Sequence, residues 1–158
     1  MRTVIYPGSF DPFHNGHLDV VHRASRIFDR VVVAVARNES KQPLFTVEER
    51  TRLVRESIQD IPNVEADAFE GLLVDYVVRR QACAVLRGLR AVSDFEFEFQ
   101  LALMNRRLNE QVETLFMTPK DTFTFLSSRM VKEISRLGGD VAPFVPPAVV
   151  GALRSRRS

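Results

Sequence analysis

The chain has 158 residues, of which 45% are hydrophobic and 27% charged, and its formal net charge is +2. That balance excludes wholesale disorder, and the length suits one domain over residues 1–158 with a sizeable core. The isoelectric point of about 9.0 fits polyanionic small substrates and gives little ground for a nucleic-acid partner.

The lone cysteine, Cys83, cannot close an internal disulfide, and its apolar neighbours predict a small buried residue. No apolar run reaches the roughly 20 residues of a membrane helix, so no membrane partner is expected. A reducing, cytoplasmic location fits both observations.

Residues 3–6 are apolar and partly β-branched, as in a strand. Leu18, Val21, Ala24 and Phe28 recur at helical spacing, which starts a helix near Gly16 and His17. Between them residues 6–17 read Tyr-Pro-Gly-Ser-Phe-Asp-Pro-Phe-His-Asn-Gly-His. A strand, a turn and a helix start in that order aim backbone N–H groups at an anion. The spacing of Gly8 and Gly16 matches neither a Walker loop nor a dinucleotide fingerprint.

Residues 30–36 are almost continuously apolar, as a central parallel strand requires. The loop after them carries Lys41. Thr46 and Glu49 have capping-box spacing, and the helix behind them turns Leu53, Val54 and Ile58 inward. A third strand covers 64–69, a short helix 72–78, and a strand over 84–86 ends in Arg87, Gly88, Leu89 and Arg90.

Residues 95–99 alternate Phe and Glu like a strand, yet the count continues otherwise. Phe97, Leu101, Met104 and Leu108 make one helical stripe, and Phe95, Phe99, Ala102 and Leu103 a second. A helix over 93–108 follows, capped by Ser93 or Asp94. Its two stripes face the sheet and a second subunit, or else the helix is sandwiched inside the monomer.

Residues 112–117 form the last strand. Ser127 caps a helix over 128–137 that Gly138 and Gly139 stop, and Pro146 and Pro147 start a final one. The tail from about residue 152 is expected to be disordered and solvated. Strands alternating with helices predict an α/β fold, a parallel sheet with helices on both faces.

Four basic groups, His17, Lys41, Arg87 and Arg90, fall at strand ends or in the loops after them. Nucleotidyl transfer between phosphates would suit them, because a phosphomonoester nucleophile is already anionic near neutral pH. Bringing two polyanions together needs cations, oriented donors and Mg²⁺ more than a strong base. Each residue also has a plainer reading. A lone lysine such as Lys41 usually reads as solvated surface, Arg87 and Arg90 as ion-pair partners of Asp94 or Glu98, and Ser9 and Ser127 as turn and cap. A charged His17 would oppose the helix dipole, so a neutral imidazole donating one hydrogen bond is expected.

His14-Asn15-Gly16-His17 resembles the HxGH signature of the nucleotidyltransferase superfamily. The string from Tyr6 to Pro12 resembles its bacterial phosphopantetheine adenylyltransferase branch more closely. Arg87-Gly88-Leu89-Arg90-Ala91-Val92 with Asp94-Phe95-Glu96 agrees, as does Ser127-Ser128 followed by Val131-Lys132-Glu133. The resemblance implies a Rossmann-like domain that joins ATP and 4′-phosphopantetheine into dephospho-coenzyme A and pyrophosphate. It also implies Mg²⁺ as cofactor and a homohexamer.

Carried across by position, the resemblance makes His17, Lys41 and Arg90 catalytic, with His17 at the α-phosphate. ATP contacts would come from Ser9, Phe10, His17, Gly88, Leu89, Arg90, Glu98, Phe123, Thr124, Phe125, Leu126, Ser127, Ser128 and Arg129. Phosphopantetheine would be held by Ser9, Lys41, Leu73 and Arg87, and no metal ligand is implied. Two positions depart from the branch. His14 replaces its usual threonine and is itself able to bind phosphate, and Arg129 replaces the third serine of a run, available to the β- or γ-phosphate or to solvent. The rival readings are another HxGH enzyme (a cytidylyltransferase or a nicotinamide mononucleotide adenylyltransferase), a non-catalytic sensor of ATP or coenzyme A, and an RNA-binding module.

Overall fold

Valine and isoleucine crowd the strand segments because each central strand is covered on both faces, leaving no solvent side for polar residues. In the computed structural model, which describes residues 1–37, 42–90 and 94–156, these segments form one parallel sheet. Its strands are β1 (Thr3–Gly8), β2 (Arg30–Ala36), β3 (Val64–Phe69), β4 (Ala84–Gly88) and β5 (Glu113–Met117), in the order β3-β2-β1-β4-β5. Between and after them run helices α1 (Asn15–Ser25), α2 (Val47–Ser57), α3 (Leu73–Arg79), α4 (Asp94–Leu108), α5 (Ser128–Arg136) and α6 (Pro147–Ser155).

The period of two along the strands divides the core between the two faces. Val4, Tyr6, Val31, Val33, Val35 and Leu86 point to the face covered by Val20, Val21 and Ala24 of α1 and Val54 of α2. Ile5, Val32, Ala34 and Val85 point the other way, against Val74, Tyr76 and Val77 of α3. A third cluster, with Phe45, Leu53, Val131, Val149 and Leu153, locks α5 and α6 onto α2. Helices therefore cover both faces, as the alternation of elements predicts.

Strand order reverses between β1, which leads outward through β2 to β3, and β4, which leads to β5. Their carboxyl ends diverge there and open the crevice where open α/β sheets bind ligands.

Two expectations need correction, and one of the two readings of α4 falls. Cys83 is exposed, because it precedes β4 in the turn where its N–H donates to the Thr3 carbonyl, and burial begins only at Ala84. The tail is helical through Ser155. Leu153 is 1% exposed, and Arg156 pairs with Glu49 and lies over the Phe45 ring at 5.2 Å, so packing continues past residue 152. Within the isolated chain α4 is not sandwiched: Phe95, Phe97, Phe99, Leu103, Met104 and Leu108 are all between 47% and 65% exposed. Ser93, one of its two expected caps, lies outside the described residues.

Candidate active site

The site starts where β1 runs out. Phe10 adopts φ 51°, the left-handed region that a bulky residue avoids unless its surroundings hold it there. Its buried ring packs edge-on against Tyr6, Phe13 and His17, with centroids 5.4, 5.6 and 4.9 Å away. A Cβ on Gly8 would stand 2.9 Å from that ring, so only glycine lets the turn fold back this tightly.

His14 then caps α1. Its Nδ1 accepts from the N–H groups of Gly16 (3.0 Å) and His17 (3.4 Å), while Nδ1 of His17 accepts from the His14 N–H (3.0 Å). This is a capping box built from two imidazoles, stacked with centroids 3.6 Å apart. Gly16 is required by the same contact, since a Cβ there would lie 2.9 Å from the His14 ring.

The exchange fixes the protons. A ring nitrogen that accepts a hydrogen bond carries none, so each neutral imidazole has its single N–H on Nε2. Burial, then His14, Arg90 and Arg87, hold His17 well below the usual histidine pKa, and burial and then Arg90 push His14 down to about 3. His17 is thus the neutral donor that its place at a helix start predicts. The anticipated anion-facing N–H groups of Gly16 and His17, however, are turned onto His14.

His17 borders a cavity of about 490 Å³ at the ends of β1 and β4. Of the residues implicated by resemblance, Ser9, Phe10, His17, Arg87, Gly88, Leu89, Arg90, Glu98, Ser127, Ser128 and Arg129 line it, and so does His14. His17 and Arg90 therefore share one cleft.

Inside it Arg87 grips Glu98. Its Nε reaches both carboxylate oxygens at 3.2 and 2.8 Å, one terminal nitrogen lies 2.5 Å from Oε1, and the other donates to the Pro7 carbonyl at 2.9 Å. Glu98 is only 6% exposed, so the ion-pair reading of Arg87 describes this state. Arg90 donates to the Leu126 carbonyl at 3.4 Å.

The serines at the start of α5 serve the fold here. Ser127 Oγ accepts from the Met130 N–H at 3.1 Å, and Ser128 Oγ donates to the Pro12 carbonyl at 2.8 Å. The first caps α5, and the second holds the start of that helix against the β1–α1 turn. Asp19 of α1 steadies the neighbouring loop by accepting from Arg23 and from the Lys120 N–H, while Arg23 donates to the Thr118 carbonyl.

Five implicated residues do not border the cavity. Leu73 packs on the core beneath α3, Phe123 and Leu126 join the cluster around α5 and α6, Thr124 reaches the Lys120 carbonyl, and Phe125 is exposed. Lys41 lies outside the described residues. Conversely Tyr6, Val20, Phe97 and Pro119 line the cavity without having been singled out as site residues. Val20 carries only a core signal in the sequence, whereas Tyr6 also opens the Tyr6–Pro12 string. Phe97 is legible as part of a stripe on α4, and nothing local marks Pro119.

The neutral N–H donor of His17 and the guanidinium groups of Arg87, Arg90 and Arg129 thus line one crevice in which, among the described residues, no nucleophile is paired with a base. Such a crevice can hold and align phosphates and spread charge from a reacting phosphorus.

A cytidylyltransferase-like family model matches residues 5–134. The chain is 53% identical over 99% of its length to a phosphopantetheine adenylyltransferase of Thiobacillus denitrificans, covering 98% of that protein. It is 56% identical to the one from Hahella chejuensis, covering 99% of this chain and 97% of the relative. A Vibrio parahaemolyticus crystal structure, provisionally assigned as a nicotinate-nucleotide adenylyltransferase, superposes with a TM-score of 0.73 over 98% of this chain and 99% of that one. Its identity is 19%, so it speaks for the fold alone.

Proposed function

Because the chain belongs to the phosphopantetheine adenylyltransferases of the cytidylyltransferase-like family, we propose that it transfers AMP from ATP to 4′-phosphopantetheine, a step of coenzyme A biosynthesis. A phosphate oxygen of the acceptor attacks the α-phosphorus in line. The bond to the bridging oxygen breaks, and its electron pair leaves with pyrophosphate. Dephospho-coenzyme A forms directly, with no covalent enzyme intermediate.

The observation that carries this reading is the cleft shared by His17 and Arg90 at the split between β1 and β4. The Nε2–H of His17 donates to the non-bridging oxygens of the α-phosphate, where negative charge concentrates in the transition state. As a neutral donor it needs no protonation to act. Arg90 neutralises the triphosphate, aided by Arg129 at the start of α5. Arg87 serves the acceptor phosphate, and Glu98, by gripping the guanidinium, aims it across the crevice. Lys41 would act from the loop between β2 and α2.

Mg²⁺ fits as a cation that arrives with ATP. Among the described residues no group of three His, Cys, Asp or Glu side chains could hold a metal, and Mg²⁺ is commonly bound through substrate phosphates and water. Bound there, it would supply charge neutralisation on the phosphates.

The exposed apolar face of α4 supports self-association, with a homohexamer as the assembly in which we expect it to be covered. The exposed thiol of Cys83 suits a reducing cytoplasm. Pyrophosphate release from ATP, measured with 4′-phosphopantetheine and with other phosphate acceptors, tests the reaction. A nucleotide sensor would bind ATP and release none.

A further inference from the structure

Two charged side chains that border no part of the cavity reach it through the backbone. Arg50, in the first turn of α2, is 3% exposed. Its Nε donates to the Phe45 carbonyl at 3.1 Å, and one terminal nitrogen donates to the carbonyls of Ser9 (2.7 Å) and Ala36 (3.1 Å). Those acceptors belong to three separate segments: the run into α2, the β1–α1 turn and the end of β2.

Asp11, 7% exposed, works from the other side. Its Oδ1 accepts from the Phe45 N–H at 3.0 Å, and its Oδ2 from the Leu44 N–H (2.9 Å) and Lys132 Nζ (3.3 Å). Phe45 is therefore held by its N–H and its C=O from two charged groups that also fix residues 9 and 11. Phe10 stands between those two residues, in its left-handed conformation and against the His17 ring.

We infer that Arg50 is a positioning residue for the reaction, holding the Ser9 carbonyl so that Phe10 keeps the His17 imidazole in its reactive orientation. Filling space between α2 and the sheet would ask only for an aliphatic side chain. A buried guanidinium is costly, and its planar fork is the group suited to bind several carbonyls from different segments at once. Asp11 completes the clamp, and without either one the turn keeps its sequence but loses its fixed geometry.

The inference rests on the adenylyltransferase reading, and its test has one arm that needs no turnover. Arg50→Met keeps the volume and removes every donor; Arg50→Lys keeps the charge without the fork. For both we measure kcat per folded protein, KM for each substrate, the ATP-binding stoichiometry, and the ring-current shift that Phe10 imposes on the His17 imidazole protons. Arg50→Met is expected to lose about tenfold or more in kcat with each KM nearly unchanged, and to shift the imidazole resonances away from their wild-type positions as the edge-on Phe10 ring is released. Arg50→Lys should fall between it and the wild type, and it carries the test alone if Arg50→Met does not fold. Wild-type kcat per folded protein with unmoved His17 resonances would overturn the inference. So would a loss explained wholly by a smaller folded fraction. An inactive wild-type protein would instead refute the reaction, leaving the resonance arm to judge the clamp.

Discussion

Replacing His17 separates its two jobs. Through Nδ1 it accepts the His14 N–H at 3.0 Å and completes the cap of α1; through Nε2 it faces the cleft. Glutamine is a natural residue at the third position of a capping box, and its side-chain oxygen can keep the bond to His14. Its amide would not reproduce the direction of the imidazole N–H. His17→Gln should thus stay folded and bind ATP, yet lose about 10²- to 10³-fold in kcat, the usual cost of one preorganised donor to a charged transition state. His17→Ala removes both contacts and should add about 1 kcal/mol of lost stability from the broken cap. The assay is pyrophosphate release under saturating substrates, with thermal unfolding run alongside. A kcat for His17→Gln within about threefold of the wild type would refute the role of the Nε2 donor.

Arg87→Ala should raise KM for 4′-phosphopantetheine about tenfold or more, and should destabilise the fold because Glu98 is left buried without its cation. Arg87→Ala combined with Glu98→Ala should cost less stability than the two single changes added together, as a double-mutant cycle in denaturant would measure. Leu153→Ala, at 1% exposure in the α5–α6 cluster, should cost about 2–5 kcal/mol of unfolding free energy with kcat unchanged. Both histidines have folded-state pKa values below the unfolded 6.5, so the unfolded chain binds more protons as acid is added. Stability should then be whole above pH 6.5 and fall below it, with about 1.4 kcal/mol at stake per unit of depression, which urea unfolding at stepped pH can follow. Finally, Phe97→Glu on α4 should shift the sedimentation coefficient toward the monomer if that face is covered by other copies.

Local signals carried far in this chain because most of them are local in origin. The strands over 30–36 and 64–69 and the capping box at Thr46 and Glu49 appear with the bounds their patterns predict. The alternating Phe and Glu of 95–99 resolve into a helix, since a count of 3.6 continues through Leu108 and a count of two does not. What escaped depends on contacts between distant segments. Arg50 reads as one more charged residue on a helix until three carbonyls from elsewhere surround it. Cys83 sits among apolar residues in sequence but is exposed in the turn that leads into β4.

The site divides along the same line. The convergence of His17, Arg87 and Arg90 follows from each lying at or just beyond the carboxyl end of a strand on either side of the switch point. The commitment of His14 Nδ1 to two N–H groups depends on side-chain geometry that no spacing encodes, whereas the pairing of Arg87 with Glu98 is one of those the sequence leaves open.

The most direct test of the central claim mixes purified protein, MgATP and 4′-phosphopantetheine and quantifies both products. Pyrophosphate and dephospho-coenzyme A should appear in equal amounts, and only when the acceptor is present. ATP binding with no pyrophosphate, or pyrophosphate released at the same rate without the acceptor, would contradict the account.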